Sequence, residues 1–272
     1  MKTGSAPLVL FLLLAAVAAS SASAGWSPPV GTAWQWQLDK PLDFTVDAPV
    51  YDVDAFETTA HQVERLHSLG RHAICYVNAG AWERFRPDKD KFPDAVLGRA
   101  LDGWPGERWL DIRSIDVIAP IMKARIARCA RKRFDAVEPD NIDGYQNSSG
   151  FPMSRSDQLR YNRWFARLAH RKGMSVALKN DLGQVKSLVP DFDFAIVEEC
   201  FQYKECGKAV PFIDAGKAVL EVEYKLDRAD FCSKALALSF NSMKKRLSLG
   251  PWRRACTQPF RLRAAREKGR AG

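Results

Sequence analysis

Two acidic turns in this chain could carry chemistry. Residues 137–145 read VEPDNIDGY and residues 196–203 read IVEECFQY, which sets Asp140 and Glu198 58 positions apart (198 − 140). Each turn follows a short apolar run, FDAV or FDFAIV, of the kind that forms a buried strand. Side chains alternate along a strand, so Glu138 and Asp140 share one face, whereas Glu198 and Glu199 point opposite ways. Two carboxylates held at strand ends can divide the work of hydrolysing a glycosidic bond. One protonates the leaving oxygen while the other acts as nucleophile, or as base toward water. A lone acidic residue at a strand end is more often a cap for the next helix. Two such turns at repeated strand–helix spacing argue for a site.

Such a pair needs a frame. The strand candidates are 34–38 (WQWQL), 50–53 (VYDV), 72–78 (HAICYVN), 108–113 (RWLDIR), 134–139 (FDAVEP), 174–179 (MSVALK), 192–198 (FDFAIVE) and 217–223 (KAVLEVE). Between most of them apolar residues recur at helical spacing: Val63, Leu66 and Leu69 in 58–69; Ile118, Ile121, Met122 and Ile126 in 115–131; Leu159, Trp164, Leu168 and Ala169 in 156–172. Gly70 and Gly173 follow two of these helices as C-terminal stops, and Ser156 and Asp157 offer N-capping oxygens to the third. Eight strands with intervening helices predict a (β/α)8 TIM barrel, an α/β fold in one domain spanning residues 25–256. An open doubly wound sheet competes, but no Gly-rich phosphate loop follows the first strand. The connection 79–107, rich in Trp, Pro, Gly and charge, predicts a loop over the barrel mouth.

Barrel sites form at the C-terminal ends of the strands. There the sequence concentrates polar residues: Asp52, Asn78, Asp111, Glu138, Asp140, Lys179, Asn180, Asp181, Glu198 and Glu223, with Asn141 and Asp143 in the turn after Asp140. Trp36, Tyr76, Trp82, Trp104, Tyr145, Tyr203 and Tyr224 sit beside this ring, and the apolar faces of sugars stack on such side chains. Trp82 and Trp104, in polar loop sequence, are the ones predicted to be exposed.

Composition narrows the setting. Lys2, the apolar run from Pro7 to Ala19 and the small residues Ala22-Ser23-Ala24 predict a signal peptide over 1–24, hence secretion. That run is shorter than the ~20 residues a membrane span needs. The formal charge of +9 is concentrated from Lys244 onward, where ten basic residues face only Glu267, so residues 1–243 are neutral. A neutral body does not imply nucleic acid. The basic tail, 257–272, is predicted to be disordered and offers a contact for anionic surfaces. Six cysteines suit a secreted chain. Cys200, Cys206, Cys232 and Cys256 are the disulfide candidates, while Cys75 and Cys129, in apolar runs, are expected as buried free thiols. Four histidines, no CxxC pair and no EF-hand spacing argue against a metal, and the chemistry requires no cofactor.

The ordered stretches WQWQL (34–38), YDVDAFET (51–58), ICYVNAGAWERFRPD (74–88), LDGWPGERWLDIR (101–113), VEPDNIDGYQNSSGF (137–151), LKND (178–181), EECFQYKEC (198–206) and AGKAVLEVEY (215–224) resemble glycoside hydrolase family 114, the endo-α-1,4-polygalactosaminidase-like barrels. The resemblance covers residues 26–256. It implies a (β/α)8 fold and hydrolysis of α-linked galactosaminyl or galactosyl polymers, with Asp140 and Glu198 at the positions of the family's catalytic carboxylates. Asp140 would be nucleophile or base, and Glu198, with a raised pKa, the acid. Glu138, Asn141, Asp143 and Asn180 would fix or polarise them, and Lys179 would keep one carboxylate ionised. Asp52, Asp111 and Glu223 would bind sugar hydroxyls or an ammonium, with Trp36, Trp82, Trp104 and Tyr145 as further substrate contacts. The chain departs from the family in having Val197-Glu198-Glu199-Cys200 where Asn-Glu-Gln-Cys is common, and Asn78-Ala79-Gly80-Ala81 where Ser-Ala-Gly-Ser is frequent. A catalytically silent carbohydrate-binding barrel and an exo-acting α-galactosidase are the alternatives.

Overall fold

A strand buried on both faces reads as a nearly unbroken apolar run, as HAICYVN, SVALK and FAIVE do here. The computed structural model describes Met1 and residues 25–256, so the expected leader (apart from Met1) and the tail 257–272 lie outside the described residues. The elements in order are β1 (Trp34–Gln37), β2 (Val50–Asp54), α1 (Ala60–Ser68), β3 (His72–Asn78), β4 (Ala81–Glu83), β5 (Leu97–Ala100), β6 (Glu107–Leu110), α2 (Ile115–Arg131), β7 (Ala136–Asp140), α3 (Arg155–His170), β8 (Ser175–Lys179), α4 (Val185–Leu188), β9 (Phe194–Glu198), α5 (Val210–Asp214), β10 (Val219–Glu223), α6 (Arg228–Ala237), β11 (Asn241–Lys245) and β12 (Arg253–Ala255). Eight strands run parallel in the order β1-β2-β3-β7-β8-β9-β10-β11, and β12 lies antiparallel on β11. This is the (β/α)8 barrel.

Two expectations about its strands are corrected. The segment 108–113 is not a barrel strand: β6 pairs antiparallel between β4 and β5 in a separate three-stranded sheet. The connection 79–107 is therefore built around strands. The eighth barrel strand is instead β11, NSMKK, which carries almost no apolar signal.

Alternation sorts the side chains. Trp34, Trp36 and Phe194 fill the barrel interior beside the small Ala136 and Ala177, with Ile74, Ile196, Leu220, Val222 and Met243 completing it. The outward residues Tyr51, Val53, Val77, Val137, Val176, Leu178 and Val197 pack against Ile118, Met122 and Ile126 of α2 and Tyr161, Phe165 and Leu168 of α3. Helix α1 starts with a reciprocal Thr59–Gln62 capping box and α3 with Ser154–Asp157, so Ser154, rather than Ser156, is the cap.

The ladder is not continuous between β1 and β11, and side chains bridge that seam. Trp34 Nε1 donates to Asn241 O at 2.7 Å, Asn241 Oδ1 accepts from Gly31 N at 2.9 Å, and Arg253 Nη1 donates to Trp34 O at 3.0 Å.

Three disulfides are present: Cys200–Cys206, Cys232–Cys256 and Cys75–Cys129. The last corrects the expectation of two free thiols. Cys75 on the outer face of β3 meets Cys129 on the buried side of α2, with Cα atoms 6.0 Å apart. No helix among the described residues is long and apolar enough to cross a membrane.

Candidate active site

Strands β7, β8 and β9 end in the same way. Their last inward-facing residues are Asp140, Lys179 and Glu198, and the chain then turns through positive φ at Asn141 (60°), Asn180 (51°), Asp181 (44°) and Glu199 (53°). Asn and Asp tolerate this left-handed conformation, whereas for Glu199 it costs about 1–2 kcal/mol. Strained backbone of this kind concentrates where a site dictates it. Each turn carries the chain away from the mouth and leaves the preceding side chain standing in it. Gly80, after β3, is required by the same crowding: a Cβ there would sit 1.6 Å from Asn141 O.

Lys179 is the centre of the arrangement. Its Nζ lies 2.9 Å from Asp140 Oδ1, 3.0 Å from Glu198 Oε2 and 3.1 Å from Glu138 Oε1. Burial opposes a charge on Lys179, but Asp140, Glu198 and Glu138 outweigh it and hold the ammonium protonated. Because Nζ is 2.9 Å from one carboxylate oxygen and 3.0 Å from the other, those oxygens are at most 5.9 Å apart, the sum of the two. The ring of Trp36 lies beneath, 4.7 Å from Nζ, and forms the floor.

The two carboxylates are held differently. Asp140 Oδ2 accepts from the Tyr76 hydroxyl at 2.7 Å, and Oδ1 accepts from Asn141 N at 2.9 Å. Burial pushes the Asp140 carboxyl up, yet Lys179 and these hydrogen bonds bring it below its ordinary value. Glu198 Oε2 accepts from Asn180 Nδ2 at 3.2 Å, and Oε1 accepts from the Tyr224 hydroxyl. Burial, with Asp140 and Glu198 respectively, raises both phenols well above their usual range, so both remain neutral donors. Glu138 is fully buried below the mouth with Asp52 beside it, and burial raises both.

Around this centre lies a cleft of about 1220 Å³, lined by nine acidic residues and three basic ones. Burial and neighbouring carboxylates raise Glu107 to about 7 and Asp143 to about 6. The cleft brings together Trp36, Asp140, Asn141, Asp143, Lys179, Asn180 and Glu198, with Trp104 exposed on its rim.

Five of the substrate-contact expectations are corrected. Asp52 faces inward but, like Glu138 beneath Lys179, lies too deep to line the cleft. Asp111 is held by Arg113 at 2.7 and 2.8 Å outside it. Glu223 faces away from the barrel interior and accepts from Phe201 N and Gln202 N at 2.8 and 3.2 Å, fixing the loop after β9. Trp82 donates to Lys89 O and packs on the apolar layer, half-buried, instead of standing exposed. Tyr145 stands behind the cleft wall against Gly183.

The sequence reading also missed roles. Tyr76 and Tyr224, expected as stacking surfaces, serve as hydroxyl donors to Asp140 and Glu198. Their spacing held the clue, because Tyr76 shares the face of Ile74 on β3 and Tyr224 that of Val222 on β10. Glu107 comes from the separate sheet and binds Asn78 Nδ2 at 3.1 Å, a contact without a local sequence signal.

No curated protein matches the chain. Among solved structures it is similar to Aspergillus fumigatus Ega3 in complex with galactosamine, at 37% identity and TM-score 0.82, over 86% of this chain and 98% of that one. The glycoside hydrolase domain of PelA from Pseudomonas aeruginosa shares the fold at 13% identity and TM-score 0.65, over 82% and 96% of the two chains. The α-galactosidase TtGalA from Thermus thermophilus shares it more distantly, at 12% identity and TM-score 0.55, over 90% and 65%. With its family match running from residue 15 to 261, the chain belongs to glycoside-hydrolase family GH114 and is a glycosidase.

Proposed function

We propose that this glycosidase acts outside the cell on polysaccharide containing α-linked galactosamine, with Asp140 as nucleophile and Glu198 as general acid and then base. The observation that carries the reading is the shared ammonium of Lys179, which keeps the two carboxylate oxygens within 5.9 Å. That bound suits a retaining mechanism, whose carboxyl groups stand about 5–5.5 Å apart, better than an inverting one, which needs about 6.5–9.5 Å. Asp140, ionised and below its ordinary pKa, attacks the anomeric carbon as Glu198 passes its proton to the departing oxygen. Glu198 then takes a proton from water, which cleaves the glycosyl ester and frees Asp140. Lys179 touches both groups, so it can follow the negative charge from Asp140 to Glu198 without moving.

A cleft with nine acidic and three basic linings favours a cationic chain, as a polymer of free galactosamine is. The galactosamine bound to Ega3 agrees with that preference. The predicted leader and three disulfides suit an oxidising, extracellular setting. Asp140→Asn and Glu198→Gln keep shape but remove ionisation, so each should lower turnover of α-1,4-linked galactosamine oligomers by about 10²–10⁴, with melting temperature nearly unchanged. Products read by mass and by anomeric configuration decide the matter. Full activity in either variant, or inverted product, would count against this assignment.

A further inference from the structure

The outer face of β10 buries two carboxyl groups that the reaction does not use. Leu220 and Val222 point into the barrel, so alternation turns Glu221 and Glu223 outward, where both are fully buried. They lie within hydrogen-bonding reach of each other, and the Ser242 hydroxyl, opposite Glu221 in the β10–β11 register, faces the same carboxyl. Glu223 Oε1 accepts from Phe201 N at 2.8 Å and from Gln202 N at 3.2 Å. Its Oε2 and both oxygens of Glu221 meet no donor among the described residues. The neighbouring lysines do not help. Lys225 is turned to Glu199 at 3.9 Å, and Lys244, opposite Glu223 in the register, to Asp227 at 2.6 Å. Two ionised carboxylates side by side here would repel each other and leave three buried oxygens unpaired. One proton between them removes both penalties, because a protonated carboxyl becomes a donor to its ionised neighbour. Burial, and then the charge of Glu223, raise Glu221 well above the ordinary carboxyl range, so Glu221 holds the proton. Burial also raises Glu223, but Glu221 and the two backbone amides oppose it, so Glu223 takes the charge.

What Glu223 grips is a wall of the cleft. Phe201 and Gln202 lie in the loop 199–208, whose Glu199, Tyr203, Glu205 and Lys208 line the cleft. The loop leaves β9 directly after Glu198, and Cys200–Cys206 closes it on itself without tying it to the barrel. Its anchors are Glu199 N donating to Val222 O at 2.8 Å, the Glu223 carboxylate, and the Phe201 ring against Phe231 and Phe240. Tyr224, the residue after Glu223, faces the other way and donates to Glu198. One strand end therefore serves both the reacting carboxyl and the wall beside it.

We propose that Glu221 and Glu223 share one proton and act together as a latch that positions the 199–208 wall of the cleft for substrate. Both are positioning residues, since neither lines the cleft. The inference rests on the galactosamine reading above only for the substrate used in its kinetic test.

Three readouts on the full-length enzyme test it. The infrared spectrum at neutral pH should contain a protonated-carboxyl carbonyl stretch that Glu221→Gln removes. Hydrogen–deuterium exchange read by mass should quicken in 199–208 in Glu221→Met and in Glu223→Met, which keep side-chain length but remove the donor or the acceptor. Glu221→Gln, whose amide still donates to Glu223, should exchange like wild type. On galactosamine oligomers each Met variant should raise KM about fivefold or more with kcat changed less than about twofold, the pattern of a lost binding wall, while Glu221→Gln retains both constants. A role in packing alone predicts the reverse order at position 221, with Met tolerated better than Gln. Retention of every protonated-carboxyl band in Glu221→Gln would overturn the shared proton, and this variant keeps that test open if the Met variants fold poorly. Wild-type exchange of 199–208 in folded Glu221→Met and Glu223→Met would overturn the latch. Oligomers left uncut by wild type would overturn the substrate reading alone, and the infrared and exchange results would still decide the latch.

Discussion

At the scale of single residues, Lys179 is the group on which the site depends. It is buried, and three carboxylates lie within 3.1 Å of its Nζ. Lys179→Met should leave those charges uncompensated, which costs about 3–5 kcal/mol when one partner of a buried cluster is removed. Without the ammonium, burial and mutual repulsion raise the native carboxyl pKa values, so the folded variant binds more protons than the unfolded chain. Its deficit should therefore shrink as pH falls from 7.5 to 5. Denaturant titrations at the two pH values check this, and equal stability to wild type at both would refute it. How far these residues were legible follows from geometry. Alternation places Glu138 and Asp140 on one face, but alternation carries no depth. In the barrel register Asp52 pairs with Trp36 and Ile74, and Ile74 with Ala136, four residues below Asp140. Only the stagger between strands shows that Asp52 supports the floor and does not reach the cleft.

At the scale of elements, the least legible part was the strand that completes the barrel. Strand β11 reads NSMKK because two of its inward places are spent on the seam, where Asn241 and Lys245 satisfy backbone and side-chain groups. A period-two apolar pattern cannot mark a strand whose task is polar. The segment 108–113 misled for the opposite reason: Trp109 and Leu110 are apolar because they pack within and beneath the separate sheet. The seam gives a direct test. Asn241→Ala removes the acceptor of Gly31 N and the donor to Thr32 O, two backbone groups at a partly buried junction. It should cost about 1–3 kcal/mol in urea unfolding, the usual penalty for orphaned buried polar groups. A loss under 0.5 kcal/mol, on the same scale, would mean that β1 and β11 are held by something other than these side chains.

At the scale of the whole molecule, charge is segregated. The excess of basic residues from Lys244 onward is only partly a tail, since Lys244 pairs with Asp227 at 2.6 Å, and Arg246 lies over the Trp252 ring. The cleft is acidic, and three of its carboxyls are raised, Asp143 to about 6, Glu107 to about 7 and Asp181 to about 8, with buried Asp52 and Glu221 outside it moved the same way. A carboxyl raised on folding favours the native state fully below its unfolded pKa, and that contribution is lost as pH rises through the folded value. From pH 4.5 to 7 the native chain therefore holds more protons than the unfolded one, and stability should fall as pH rises. Carboxyls lowered on folding, such as Asp140 and Asp88, act only below about pH 4 and do not oppose this. Lys245, lowered to about 7 by burial and Arg253, works in the other direction, restoring stability only as pH rises beyond 7. The expected profile is a urea midpoint that declines from pH 4.5 to 7 and then levels. On the proposed substrate, galactosamine oligomers should reduce the decline, because their ammonium groups would favour the ionised cleft. A midpoint that climbs across pH 4.5–7 without ligand would mean that the cleft is not the reservoir of protons its buried carboxyls make it.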